Sequence, residues 1–254
     1  MNEWFETEQI DADTYCISEY RHREQTHCWL LCGTDRAFLI DTGTGIRNIR
    51  PVVEQLYHGP VTVLTTHVHW DHIGSHGSFE QFGVHEAEVP WISEQFPVPR
   101  PAVLNDLIKE PTVLPDDFDP AGWNVFRGTP SFTYAGGETI STRNRNLQII
   151  HTPGHSPGHC VFYEPERGYL FSGDLIYYGQ IDAFYPSTDP VQLSESIRKL
   201  KGLNIRSIFP GHYRYPVHPD IINEMAAALD QIKAEGSLYQ CEKTFDFGQF
   251  SFRF

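Results

Sequence analysis

A short segment rich in His and Asp is the part of this 254-residue sequence best equipped for chemistry. It reads Thr66-His67-Val68-His69-Trp70-Asp71-His72 and places four side chains that commonly bind metal ions almost next to one another. His67 and His69 are two residues apart, so on a strand end or turn they point the same way, while Asp71 and His72 can face a second position. Imidazole and carboxylate ligands suit Zn²⁺, with Fe or Mn as alternatives. The segment therefore predicts a metal site.

Three further candidate ligands lie in the second half of the chain, each directly after a glycine. They are His155 in Thr152-Pro153-Gly154-His155, Asp174 in Phe171-Ser172-Gly173-Asp174, and His212 in Phe209-Pro210-Gly211-His212. Glycine lets the backbone turn sharply at the end of an apolar strand and present one side chain. Loops that a rigid sheet holds in place are common sites for functional residues. We therefore expect these three side chains at one edge of a sheet.

The elements that must position these residues alternate between strands and helices. Apolar runs predict strands at 14–19, 27–32, 37–41, 61–65, 147–151, 160–164, 169–172 and 207–209. Helical spacing of apolar residues predicts helices at 46–57, 190–201 and 219–233. A Pro-rich stretch at 86–137 predicts a loop-rich, lid-like insertion. This order favours an α/β fold in a single domain over residues 1–254. The aromatic tail at 245–254 alternates with period two, with one break at Gly248-Gln249, and predicts core or dimer packing, with lining of a substrate pocket as the alternative.

Composition narrows the function further. The net charge of −14 argues against a nucleic-acid partner, because phosphate contact needs a basic face. No apolar run is long enough to span a membrane. The segment Met1-Asn2-Glu3-Trp4-Phe5 lacks the basic start and apolar core of a signal peptide, so we expect a cytoplasmic protein. A small-molecule substrate is the expected partner, and a homodimer is left open.

Taken together, the motifs resemble the metallo-β-lactamase superfamily. The resemblance runs along nearly the whole chain through Asp41, the His67–His72 cluster, His155, Asp174 and His212. It implies an αββα sandwich of two mixed β-sheets flanked by helices, with two Zn²⁺ ions bound at one edge. Three ligand groups follow from the resemblance: His67, His69 and His155 for one metal; Asp71, His72 and His212 for the other; and Asp174 as the bridge. Asp41 would hold the segment 66–72, called the histidine loop below, in position without binding metal itself.

The chemistry implied by the resemblance is hydrolysis of a small ester-like carbonyl compound. Two divalent ions about 3.5–4 Å apart lower the pKa of a shared water from about 15.7 towards about 7, which supplies a metal-bridging hydroxide at neutral pH. A metal-bound water or Asp71 would handle the proton of the leaving group. Tyr177, three residues after Asp174, would assist the substrate carbonyl or the leaving group. The predicted catalytic residues are therefore Asp71 and Tyr177.

The reaction subclass follows from smaller features. Antibiotic-hydrolysing members of the family carry Cys where Asp174 stands, or lack a carboxylate there, which disfavours a β-lactam hydrolase. The sequence is most similar to the acyl-CoA thioesterase and lactonase branches, and a glyoxalase II-like enzyme is a further candidate. A different chemical class is also open: a mononuclear iron persulfide dioxygenase on the same fold, which would use His67, His155 and Asp174.

Overall fold

The computed structural model describes residues 4–254, and within them the chain forms two units. The first comprises Met1–Tyr134 and Ser141–Arg145, and the second comprises Ala135–Ile140 and Asn146–Phe254. Met1, Asn2 and Glu3, at the start of the segment used for the localisation prediction, lie outside the described residues. The single domain that the sequence predicts over residues 1–254 stays a prediction.

A seven-stranded mixed sheet forms the centre of the first unit, with strands in sequence order from edge to edge. Its strands are β1 (Glu6–Asp11), β2 (Thr14–Ser18), β3 (His27–Cys32), β4 (Ala37–Ile40), β5 (Val61–Leu64), β6 (Gln81–His85) and β7 (Phe132–Tyr134). Strands β1 to β4 pair antiparallel, and β4 to β7 pair parallel. The parallel pairing brings the carboxyl ends of β4, β5 and β6 to the same edge of the sheet.

Three helices accompany this sheet: α1 (Arg50–Leu56), α2 (Val89–Ser93) and α3 (Arg100–Leu107). Helix α1 begins four residues later than the sequence predicts, because Pro51 has no N–H to donate to Arg47 and fits only the first turn. The predicted insertion at 86–137 contains α2, α3 and β7. Five of its buried apolar side chains belong to the core of this unit: Ile92, Phe96, Val103, Leu107 and Trp123.

The second unit contains a five-stranded and a three-stranded sheet. The larger has the order β13–β11–β10–β9–β8, formed by Ser207–Pro210, Tyr169–Gly173, Cys160–Glu164, Asn146–His151 and Thr139–Ser141. The smaller has the order β12–β15–β14, formed by Gly179–Asp182, Phe250–Arg253 and Thr244–Asp246. Helices α4 (Pro190–Lys199) and α5 (Ile221–Ala234) complete the unit.

The aromatic tail is part of the core of the second unit. Phe250, Phe252 and Phe254 are buried together with the apolar face of α5. A turn at Gly248, where φ is +85°, joins β14 to β15 and accounts for the break in the alternating pattern. Core packing, one of the expectations for the tail, is therefore confirmed. None of the helices within residues 4–254 is long and apolar enough to cross a membrane.

Candidate metal centre

The histidine loop leaves the sheet at the carboxyl end of β5. Val61–Leu64 is a buried strand whose β-branched residues favour extended structure, and it lies parallel to β4 with Leu64 opposite Ile40. Asp41 follows β4 directly, so the parallel register places it beside Thr66. The parallel pairing of β4 and β5 is therefore enough to bring the Asp41 carboxylate next to the loop that carries His67.

Asp41 holds this loop by three hydrogen bonds. Its Oδ1 accepts from the backbone N–H of Thr66 at 2.7 Å, and its Oδ2 accepts from the Thr66 hydroxyl at 2.7 Å. The same Oδ2 lies 2.8 Å from Nδ1 of His72. Asp41 is buried and has a left-handed backbone with φ +59°, a conformation that Asp tolerates better than most residues. The carboxylate thus joins the two ends of the candidate ligand segment.

The hydrogen bonds around His67 define which ring nitrogen can bind a metal. The Thr66 hydroxyl uses its proton on Asp41, so at its 3.0 Å contact with Nδ1 of His67 it accepts a proton from the ring. Nε2 of His67 then carries a lone pair. It lies 3.0 Å from Nδ1 of His69, so the two ring nitrogens converge on one small volume. This is the geometry of two histidines that share one cation.

His72 is oriented in the same manner. Its Nδ1–H donates to the acceptor-only Asp41 carboxylate, which leaves a lone pair on Nε2. That Nε2 lies 3.8 Å from Oδ2 of Asp71. A lone pair on nitrogen and a carboxylate oxygen repel each other unless a proton or a metal ion lies between them. The first unit therefore presents two places where a cation would relieve repulsion between ligand atoms.

The second unit has a matching arrangement. Nδ1 of His155 lies 3.2 Å from the carbonyl oxygen of Asp182 in β12, which can only accept, so the ring proton is on Nδ1. Nε2 of His155 then faces Oδ2 of Asp174 at 3.5 Å. Nε2 of His212 lies 3.1 Å from the same oxygen. Asp174 Oδ2 is thus the common neighbour of two imidazoles, as expected for a carboxylate that shares metal ions with them.

His159 holds the backbone of Asp174 by a hydrogen bond. Its Nε2 accepts the backbone N–H of Asp174 at 3.1 Å, so Nδ1 carries the proton and donates to the Thr152 hydroxyl at 2.9 Å. His159 is fully buried. In the sequence His159 is one of several histidines near the candidate ligands. Its role is recognised from its contact with the backbone of Asp174.

The donor set fits a borderline divalent metal ion. Among the described residues, both units contribute side chains of the kind that hold a metal ion: His67, His69, Asp71 and His72 in the first, and His155, Asp174 and His212 in the second. Neutral imidazole nitrogens with carboxylate oxygens are the ligands that Zn²⁺ takes in hydrolytic sites. When present, the metal would be held in part by His67, His72 and His155, whose Nε2 atoms are oriented by the hydrogen bonds that their Nδ1 atoms make.

Tyr177 lies beside one of these ligands. Its ring meets that of His212 edge-on, with centroids 5.8 Å apart. Its hydroxyl donates to the carbonyl oxygen of Gln180 at 2.6 Å. The hydroxyl proton of Tyr177 is therefore engaged with the backbone. To donate to a substrate, the hydroxyl must first give up its hydrogen bond to Gln180.

Three buried titratable residues near the histidine loop have roles that the sequence does not reveal. Glu19 accepts hydrogen bonds from Trp4 Nε1, from the backbone of Thr44 and from the Thr44 hydroxyl, and burial raises the pKa of its carboxyl to about 7. His76 bridges the hydroxyls of Thr42 and Thr65, and burial lowers its pKa to about 3. The third, Glu88, accepts the backbone N–H of Val68.

The signal for Glu88 and Glu19 is weak but present. Each is a carboxylate that closely follows an apolar strand, β6 for Glu88 and β2 for Glu19. His76 comes four residues after His72, and the sequence offers no reason to single it out.

The chain is similar to known proteins of one family. The model of the metallo-beta-lactamase superfamily matches residues 22–212, which include every candidate ligand. The acyl-coenzyme A thioesterase MBLAC2 of Homo sapiens is 28% identical over 235 residues, covering 83% of this chain and 82% of the relative. The hydroxyacylglutathione hydrolase GloC of Haemophilus influenzae is 32% identical over 201 residues, covering 75% and 87%. Both relatives are named as hydrolytic enzymes.

Solved structures confirm the predicted fold class. A metallo-beta-lactamase family protein of Thermus thermophilus superposes with a TM-score of 0.68 at 21% identity, covering 90% of this chain and 82% of that one. A metallo-beta-lactamase superfamily protein of Sulfolobus tokodaii superposes with a TM-score of 0.65 at 18% identity, covering 92% and 89%. The mixed sheets with flanking helices, the ordered ligands and the matched family model lead to one conclusion: the chain belongs to the metallo-beta-lactamase superfamily.

Proposed function

We propose that this protein is a dinuclear zinc hydrolase that cleaves acyl thioesters. The observation that carries the proposal is that His67, His72 and His155 each hydrogen-bond through Nδ1, which leaves the lone pair of Nε2 facing another candidate ligand atom. In this proposal His67, His69 and His155 hold one zinc ion, Asp71, His72 and His212 hold the second, and Asp174 bridges them. When bound, the metal pair supplies Lewis acidity and hydroxide at neutral pH.

The choice of thioester rests on the two relatives. Acyl-coenzyme A and hydroxyacylglutathione, the compounds in their names, are both thioesters. Water adds to the carbonyl carbon, the carbon–sulfur bond breaks, and the products are a carboxylic acid and a thiol. A lactone or simple ester would react at the same carbonyl, so the tests include both.

The chain's own residues supply orientation and proton handling. Asp41 and the Asp182 carbonyl hold the rings of His72 and His155 in place. In the proposal, Asp71 takes up the proton that the water loses as it adds to the carbonyl carbon and passes that proton to the leaving thiolate. Tyr177 donates a hydrogen bond to the developing oxyanion once its hydroxyl turns away from the Gln180 carbonyl. Each of these groups lies in or directly beside the candidate ligand set.

Aromatic side chains beside His69 are a second argument for a substrate with an acyl chain. The ring of Trp91 on α2 lies nearly parallel to that of His69, with an interplanar angle of 7° and centroids 6.2 Å apart. Trp70 packs edge-on against Trp123 at 6.1 Å. Trp91 and Trp70 are both partly exposed, so their rings form an apolar wall next to the candidate ligands. Pockets for small ligands combine such walls with a few fixed polar groups.

Metal analysis and a substrate panel test the proposal. We expect about two zinc ions per chain, as a two-metal site requires, and zinc-dependent release of thiol from acyl-CoA thioesters or S-lactoylglutathione. His69→Ala and Asp174→Ala should abolish turnover while the circular dichroism spectrum stays that of the wild type. Fewer than about one metal ion per chain, or full activity in either variant, would contradict the proposal.

The same panel separates the alternatives. Hydrolysis of a lactone in preference to every thioester would move the enzyme to the lactonase branch, and cleavage of a chromogenic cephalosporin would identify a β-lactam hydrolase. Bound iron with oxygen uptake in the presence of a glutathione persulfide would identify the persulfide dioxygenase reaction. Each of these results would overturn the thioester assignment.

A further inference from the structure

The carboxyl group of Glu88 is buried against the backbone of the histidine loop. Glu88 ends a short 3-10 helix at Glu86–Glu88, directly after β6, and its side chain is fully buried. Its Oε2 accepts the backbone N–H of Val68. Val68 lies between His67 and His69 in the sequence. A carboxylate twenty residues away thus contacts one of the two peptide groups between two predicted ligands to the same metal.

This contact fixes a peptide that no regular structure supports. The loop after β5 belongs to neither strand nor helix at Val68, so the N–H of this residue has no ladder partner. A buried N–H left without an acceptor costs free energy comparable to a lost hydrogen bond, and hydrogen bonds to carboxylates are stronger than those between neutral groups. The Val68 side chain is buried in the core of the first unit. Glu88 and the core therefore hold Val68 from two directions.

Two carboxylates therefore accept backbone N–H groups on either side of His67. Asp41 accepts the N–H of Thr66, immediately before His67, and Glu88 accepts the N–H of Val68, immediately after it. The Val68 N–H belongs to the peptide directly after His67, and the Thr66 N–H belongs to the peptide one residue before it. Carboxylates therefore hold the chain on both sides of His67, whose Nε2 lies 3.0 Å from Nδ1 of His69. Supporting groups that orient ligands commonly matter to metal affinity almost as much as the ligands themselves.

We propose that Glu88 is a positioning residue of the metal centre: its carboxyl group holds the Val68 peptide so that His67 Nε2 and His69 Nδ1 point at one metal ion. This inference rests on the proposed function, because it concerns the same metal site. It assigns Glu88 no contact with substrate and no part in proton transfer. Its effect is on metal affinity and ligand geometry.

Three variants of Glu88 and one control test this role. Glu88→Ala removes the acceptor, Glu88→Gln keeps an acceptor oxygen at the same reach, and Glu88→Asp keeps the charge but shortens the side chain by one methylene. Glu86→Ala is the matched control, because Glu86 lies in the same short helix and is exposed. Zinc affinity is measured by competition with a chromogenic chelator, and Co²⁺-substituted protein reports ligand geometry through its visible absorption.

The expected order of zinc affinities among the variants shows whether the hydrogen bond or the charge of Glu88 matters. Glu88→Ala should weaken zinc binding by about 10–100-fold and alter the Co²⁺ spectrum, the usual effect of losing a group that orients a ligand. Glu88→Gln should stay within about threefold of the wild type, because its carbonyl oxygen still accepts one hydrogen bond. Glu88→Asp should fall below Glu88→Gln, and Glu86→Ala should match the wild type.

Two results would overturn the inference. One is wild-type zinc affinity with an unchanged Co²⁺ spectrum in Glu88→Ala. The other, decisive even where Glu88→Ala fails to fold, is tighter zinc binding by Glu88→Asp than by Glu88→Gln, which would make charge rather than reach the determinant. A wild-type protein that binds no zinc would instead refute the proposed function, so the two failures are distinguishable.

Discussion

Hydrogen bonds on the far side of each imidazole ring prepare His67, His72 and His155 for a metal ion. The Thr66 hydroxyl, the Asp41 carboxylate and the Asp182 carbonyl each accept a ring Nδ1–H. In every case the lone pair is left on Nε2, facing another ligand atom. Two of these acceptors, a carboxylate and a carbonyl, cannot donate, and the third is a hydroxyl whose own proton is engaged with Asp41. Among the three, only Asp41 can be anticipated from the sequence.

The role of Tyr177 can be tested at the same scale. We expect Tyr177→Phe to lower kcat by about 10–100-fold with little change in KM, since the phenol is proposed to stabilise the transition state. Tyr163→Phe is the control, because Tyr163 is also buried and its hydroxyl also donates to a backbone carbonyl, that of Asn204 at 3.2 Å.

Both variants should lose about 1 kcal/mol of unfolding free energy, the usual value of one hydrogen bond. Only Tyr177→Phe should slow turnover. Steady-state kinetics with urea unfolding distinguish the two effects, and an unchanged kcat in Tyr177→Phe would reduce Tyr177 to a structural role.

At the scale of elements, helix α4 sets the position of the turn that carries His155. Asp189 caps the helix by accepting the N–H groups of Val191 and Gln192, and its own N–H donates to the carbonyl of Gly154. Gly154 has φ +133°, and a Cβ there would lie 2.2 Å from the backbone nitrogen of Leu193. The turn before His155 is therefore seated directly on the first turns of α4.

Replacing this glycine should push the turn away from the helix. We expect Gly154→Ala to cost about 1–3 kcal/mol of stability, as for other overpacked sites, and to weaken zinc binding because His155 moves with the turn. Gly137→Ala is the matched control: its φ is +100°, but nothing lies within 4 Å of the added Cβ.

The control should show backbone strain without displacement of a ligand. Urea unfolding and zinc titration of both variants separate the two contributions. Equal zinc affinity in Gly154→Ala and Gly137→Ala would show that contact with α4 does not position His155.

At the scale of the whole molecule, two buried groups make stability depend on pH in opposite directions. Burial raises the pKa of Glu19 from 4.5 to about 7 and lowers that of His76 from 6.5 to about 3. The folded protein therefore binds a proton at Glu19 more tightly than the unfolded chain does, and at His76 less tightly. Rising pH removes stability through Glu19, whereas falling pH removes it through His76.

Glu19→Gln isolates the first of these effects. Between pH 4.5 and about 7, Glu19 should lower the unfolding free energy of the wild type as the pH rises, by about 3 kcal/mol in total. Glu19→Gln has no proton to lose there, so its stability relative to the wild type should increase across this window. The contribution of His76 is common to both proteins and cancels.

Urea unfolding of the metal-free proteins at several pH values measures this difference. Glu86→Gln, at an exposed position, serves as the control and should follow the wild type throughout. Parallel pH profiles for the wild type and Glu19→Gln would show that Glu19 loses its proton equally easily in the folded and unfolded states.

Much of the fold is predictable because its elements are marked locally. The strands His27–Cys32 and Cys160–Glu164 have the boundaries that their apolar runs predict, and α4 begins at the predicted Pro190. Strand β6 is missed although four of its five residues are buried, whereas several other strands that the sequence does not reveal are short or largely exposed, as are β1, β8 and β12. Their residues lack a continuous buried face, so they are extended because of their neighbours and not because of their own composition.

By itself, the sequence determined the chemical character of this protein. Ligand side chains that follow glycines and apolar strands are a local pattern, and local patterns can be read without coordinates. Only the tertiary structure decided which ring nitrogen each histidine presents, which carboxylates hold the histidine loop, and why the chain tolerates burying Glu19 and Glu88. The physical reason is that these roles depend on hydrogen bonds between segments far apart in the chain, as between Val68 and Glu88, and parallel strand packing alone brings those partners together.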